Sequence, residues 1–201
     1  MPISDKDSLI KSGGTGLSEA EVKDLIHNYG IWEIEDTFTS FVQQDAVEDV
    51  LTPIDFGDTK TSPNGLVFYD DTVKAFAVLK GGTFLIKTRA RTARIGGSAG
   101  ESELFLQSQI SVDGGFNWVN TGNSVDVKLD NTRQVEVFFD FSPAPFPTGV
   151  LIRQVFARSS EGTDFGSLVS GVPSVPLQAL GISTSPSSQV TVYRLRDFNY
   201  A

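Results

Sequence analysis

From Pro53 onward the apolar residues of this chain recur at every second position, a period that fits strands with one buried face and does not fit helices. Phe84, Ile86, Thr88, Ala90 and Thr92 fall on one face of residues 84–95, with Lys87, Arg89 and Arg91 on the other. The alternation returns at Leu104, Leu106, Ser108, Ile110 and Val112, at Val125, Val127 and Leu129, at Val135, Val137, Phe139 and Phe141, and at Val190 and Val192. Turn signals stand between these runs: Asn64-Gly65, Gly81-Gly82, Gly96-Gly97, Asp113-Gly114-Gly115, Thr121-Gly122-Asn123 and Asp130-Asn131. Short half-buried strands joined by such turns predict an all-β antiparallel jelly-roll sandwich rather than a parallel α/β sheet. No repeat of fixed period points to a propeller or solenoid.

The first 52 residues read differently. Residues 1–17 are polar and end near Ser12-Gly13-Gly14-Thr15-Gly16, a composition too poor in apolar surface to fold alone, so they form an extended N-terminal arm for a neighbour to hold. One short helix is expected over residues 18–30. Ser18 and Glu21 have capping-box spacing, Val22, Leu25, Ile26 and Tyr29 follow at helical intervals, and Gly30 ends the run. Such a helix must dock, either on its own β domain or on a partner. Residues 31–52 are expected to connect it to the jelly-roll domain at 53–201.

Composition narrows the function. The 201 residues, 39% hydrophobic, suffice for one core and leave little room for a second, catalytic domain. Without cysteine there is no disulfide framework, thiolate metal site or cysteine nucleophile. A net charge of −9 opposes nucleic-acid phosphates and anionic membranes, so neither is expected as a partner. The N-terminal residues lack the pattern of a secretory signal and no apolar run approaches the roughly 20 residues that span a bilayer, so synthesis in the cytosol is expected.

Catalytic chemistry finds little support. His27 is the one histidine; it falls on the polar side of the predicted helix, with no serine elbow to partner it. Asp70, Asp71, Asp126 and Asp130 lack calcium-loop spacing, and Glu101 and Glu103 read as solvated residues at a strand entry. The run Ser111-Val112-Asp113-Gly114-Gly115-Phe116-Asn117-Trp118 resembles an Asp-box, whose physics is that of a hairpin: the carboxylate takes backbone N–H groups, the glycines turn, and Trp118 buries its ring. No enzyme activity, metal or cofactor is expected.

Surfaces are more informative. Phe105, Phe138, Leu151, Val155 and Tyr193 occupy positions that alternation assigns to the wet face, which makes them candidates for a subunit interface unless loops or the N-terminal helix cover them. Lys87, Arg89, Arg91 and Arg94 form a basic stripe that needs acidic neighbours, supplied by Glu101, Glu103 or Glu136 on an adjacent strand or by another subunit.

The order of segments carries a resemblance. Leu51 to Gly57, Ser62 to Leu66, Lys80 to Arg89, Ser111 to Trp118, Gly149 to Arg153, Phe156 to Ser159 and Gln189 to Leu195 are together similar to the β domain of small structural proteins from tailed phages. Those in turn resemble jelly rolls of the tumour-necrosis-factor and C1q type. Gly16 to Val22 is similar to connector helices of phage fibre proteins. The resemblance spans roughly residues 51–195 and implies a virion protein on the outer surface of a phage particle that assembles as a homotrimer about a threefold axis. The resemblance does not settle the position on the particle; the short chain, the N-terminal arm and the lack of a separate receptor tip favour a capsid decoration, or cement, protein that binds the major capsid protein or another virion protein through Leu9, Ile10, Leu17, Val22, Leu25 and Ile26. The alternative is a short tail-fibre or head-fibre receptor-binding module, with Phe146, Phe165 or Tyr200 stacking on sugars.

Overall fold

A computed structural model describes residues 32–95, 100–130, 134–162 and 165–195. The expected helix at 18–30 and the arm before it, with Leu9, Ile10, Leu17, Val22, Leu25 and Ile26, lie outside the described residues. The rest is an antiparallel sandwich of two sheets. In the six-stranded sheet, β1 (Trp32–Ser40) pairs with β13 (Ser188–Leu195), which pairs with β7 (Gly82–Arg94). β10 (Gln134–Phe146) lines the other edge of β7, and β12 (Gly166–Leu168) joins the end of β7 to β2 (Gln44–Asp45). The seven-stranded sheet runs β4 (Lys60–Thr61), β5 (Val67–Asp70), β6 (Ala75–Val78), β11 (Leu151–Arg158), β8 (Glu101–Ser111) and β9 (Val119–Asp130), with β3 (Thr52–Pro53) against β11.

Alternation decides which side chains enter the space between the sheets. Phe84, Ile86, Ala90, Val190 and Val192 face inward from one sheet, and Leu104, Leu106, Leu129, Ile152 and Phe156 from the other. At the β1 end four rings close the sandwich: Phe38 packs edge-on to Phe76 with centroids 4.8 Å apart, and Phe56 and Tyr69 complete the group. The Tyr69 hydroxyl accepts the Phe56 N–H at 2.9 Å. Burial, with smaller contributions from the charges of Asp55 and Asp71, pushes its pKa up to about 12.

Several expectations need correction. Residues 31–52 are more than a connector, because 32–40 form β1, paired along its length with β13. Among its described residues Asp36, Phe38 and Ser40 face inward, and two of these three are polar, which hides the apolar alternation there. Asp36 is buried because its carboxylate ties the two sheets together: it accepts Asn64 N at 3.0 Å, Asn64 Nδ2 at 3.0 Å and Leu66 N at 3.3 Å. Thr121-Gly122-Asn123 is not a turn; β9 runs through it, and a shift in register opposite Leu106 and Ser108 absorbs the extra residues. Val112 lies beyond the end of β8 and is 79% exposed. Phe146, proposed as a sugar platform, is buried against Phe84. A five-residue helix, α1 (Val175–Ala179), also lies in the loop between β12 and β13.

Asp36→Ala removes the acceptor shared by Asn64 and Leu66 and should lower unfolding free energy by about 1–3 kcal/mol, whereas Thr37→Ala on the exposed side should change it by less than about 0.5 kcal/mol. Urea denaturation of the two variants measures the difference, and equal losses would contradict the inward placement of Asp36.

Candidate functional site

The exposed face of the six-stranded sheet is set by the same alternation. Since Val190 and Val192 are buried, Gln189, Thr191 and Tyr193 stand outside, and since Ile86, Thr88 and Ala90 are buried, so do Leu85, Lys87, Arg89 and Arg91. The Lys87 ammonium lies 5.8 Å from the centre of the Tyr193 ring, and Thr37 Oγ1 and Thr191 Oγ1 share a hydrogen bond of 3.1 Å across β1 and β13. On the other edge of β7 the register sets Glu136 opposite Arg91, Phe138 opposite Arg89 and Asp140 opposite Lys87. Of the acidic partners expected for the basic stripe, Glu136 is therefore in register. Glu101 and Glu103 belong to β8 in the other sheet, where Glu103 holds Lys128 at 3.1 Å.

The five expected interface residues do not form one surface. Tyr193 and Phe138 belong to the six-stranded sheet, Phe138 placed by register alone. Phe105, Leu151 and Val155 are on the outer side of the seven-stranded sheet, at the opposite surface of the sandwich. Val155 drops out of the set: it is fully buried, paired with Gln107 on one side and with Pro53 of β3 on the other. β3 is two residues long, too short to leave a signal in the sequence, and it covers one edge of β11.

The Asp-box segment is a hairpin between β8 and β9. Ser111 Oγ donates to Asp113 Oδ1 at 2.7 Å, and Asn117 gives Oδ1 its backbone N–H at 3.0 Å and Oδ2 its side-chain amide at 2.6 Å. Gly114 and Gly115 take φ of 74° and 93°, values that side-chain-bearing residues rarely adopt. Trp118 is half-buried under Arg153, whose guanidinium lies 3.8 Å from the ring centre and whose Nε donates to Gln109 Oε1 at 2.8 Å. The tip presents Phe116, 88% exposed, with Val112 and Val119 beside it.

The remaining carboxylates serve turns and ion pairs. Asp70 accepts Thr72 N at 2.8 Å, so Asp70-Asp71-Thr72 forms the turn between β5 and β6, and Lys74 pairs with Asp55. Glu101, Glu103, Lys128 and Glu161 line a shallow cavity of about 160 Å³. Among the described residues no group of three or more His, Cys, Asp or Glu gathers to hold a metal ion. No helix among them is long and apolar enough to cross a membrane.

No protein-family profile matches the chain, and no curated protein matches it either. Among solved structures it is similar to Eiger TNF from S. frugiperda, at 11% sequence identity and a TM-score of 0.51, over 82% of this chain and 93% of that one. That likeness establishes the fold: an antiparallel jelly roll of the tumour-necrosis-factor kind.

The donors around Asp113, the Asn117 backbone N–H foremost, hold its carboxyl at about 2 against an ordinary 3.8. Because the folded value is the lower one, the carboxylate's contribution to the hairpin is fully present above the ordinary value and is lost as pH falls from 3.8 through about 2. An NMR titration should show the Asn117 amide moving with a midpoint near the lower value, and Asp113→Asn should abolish that transition; a midpoint at the ordinary value would contradict the hydrogen-bonded turn.

Proposed function

We propose that this chain is a non-enzymatic structural protein of a tailed-phage particle, a homotrimer that decorates the outer capsid. Its six-stranded sheet meets the neighbouring subunits, and the segment before Trp32 anchors it to the major capsid protein. The observation that carries this reading is the charge layout of that sheet. In a chain of net charge −9, Lys87, Arg89 and Arg91 run along one strand with Glu136 and Asp140 in register on the next. A face holding both signs suits copies of itself better than it suits an acidic polymer. The jelly-roll fold and the ordered resemblance of residues 51–195 to phage β domains support the same assignment.

A second reading, a fibre-borne receptor-binding module, is favoured by Phe116 at the hairpin tip and by Phe165, which is 60% exposed and packs against Arg158. The copy number of the chain in purified particles separates the two. Quantitative mass spectrometry should find multiples of three on the scale of the major capsid protein for a decoration protein. A handful of copies per particle would support the fibre reading instead, and absence from particles would refute both.

A further inference from the structure

The line of pairing along one edge of β7 is interrupted. β12 pairs with Arg94 to Thr92 and β13 takes over at Ala90, both antiparallel to β7, so the two strands are collinear. Between them the chain leaves the sheet at Val169 and returns at Ser187. Its base is tied down. Val169 N donates to Arg91 O at 2.9 Å, Arg91 N to Ser187 O at 2.8 Å, and Ser187 N to Ser40 O at 2.9 Å. Gly171 and Ser185 exchange backbone bonds of 3.0 and 2.8 Å, and the Arg91 guanidinium packs so closely on Gly171 that a Cβ there would collide with it.

Beyond that base the excursion is exposed among the described residues. No residue of α1 is buried, and Val172, Val175, Leu177, Leu180 and Ile182 are 71%, 77%, 45%, 77% and 52% exposed. Between Asp164 and Arg194 the sequence holds no Asp, Glu, Lys, Arg or His, in a chain that is 20% charged. Pro173, Pro176 and Pro186 restrict the backbone, which lowers the entropy lost when such a segment docks.

We infer that residues 171–185 are an oligomerisation arm that docks on a second copy of this chain, an inference that rests on the homotrimer proposed above. Charge selects the occupant. Two copies of a chain of net charge −9 repel as they approach, and this uncharged protrusion is where the approach carries no like-charge penalty. Area agrees: the exposed parts of the five apolar side chains sum to roughly 500 Å², more than half of the ~800 Å² that each partner contributes to a standard interface. The arm also leaves the sheet at Val169, hydrogen-bonded to Arg91 of the basic stripe, so it adjoins the face assigned above to subunit contact.

Sedimentation velocity of the full chain across a concentration series tests the inference, comparing wild type with Leu180→Glu and with the double variant Val175→Glu/Leu180→Glu. Both side chains are 77% exposed, so the circular dichroism spectrum should be unchanged. Dissociation of the trimer should shift to concentrations at least tenfold higher in the single variant and further in the double. A wild-type trimer whose dissociation neither variant alters would overturn the arm and leave the homotrimer standing. A wild type that stays monomeric throughout would overturn both. A photo-crosslinker at Leu177 supplies a second readout in intact particles: cross-links to another copy support the arm, and cross-links to a different protein overturn it.

Discussion

The contact between Phe38 and Phe76 holds the two sheets together at the end where the chain enters the sandwich. Phe38 comes from β1 and Phe76 from β6, so their edge-on packing at 4.8 Å joins strands that share no backbone hydrogen bond. Around it Phe56 and Tyr69 exclude water, and within that dry volume the hydrogen bonds of Asp36 to the turn at Asn64 and Leu66 gain weight. The aromatic group and the carboxylate hold β1 in place, and β1 in turn covers the edge of β13, which brings Thr37 alongside Thr191.

The outer surfaces follow from that inner order. Once Ile86 and Val192 face inward, Lys87 and Tyr193 must face out, and the register of β10 then fixes which acidic positions lie beside the basic stripe. Burial and charge are thus two readings of one alternation. The opposite sheet uses its exposed side differently: the Arg153 guanidinium sits over the Trp118 ring and is tied to Gln109, a packed polar patch beside the Asp-box hairpin.

Much of the architecture was legible beforehand. The inward residues at 84–92, 104–108 and 190–192 are buried as their period required, Ile110 is partly so, and the Asp-box segment is the hairpin its residue types implied. β1 escaped notice because Asp36 and Ser40 take inward positions where a pattern search looks for apolar residues. The bulge in β9 resembled a turn because Gly122 and Asn123 have the same composition whether the chain reverses or merely slips register. The grouping of Phe105, Leu151 and Val155 with Phe138 and Tyr193 failed for another reason. Alternation tells inside from outside but not one outer face of a sandwich from the other.

The sequence by itself determined that the chain is all-β, which residues point inward within most strands, and how the hairpin at Asp113 closes, because those depend on neighbours within a few positions. Tertiary structure decided strand order, the partition of outward residues between two faces, the burial of Val155 and the exposure of the apolar segment at 171–185. These depend on pairings between residues far apart in the chain, where burial is settled by which backbone arrives alongside and not by the residue's own polarity.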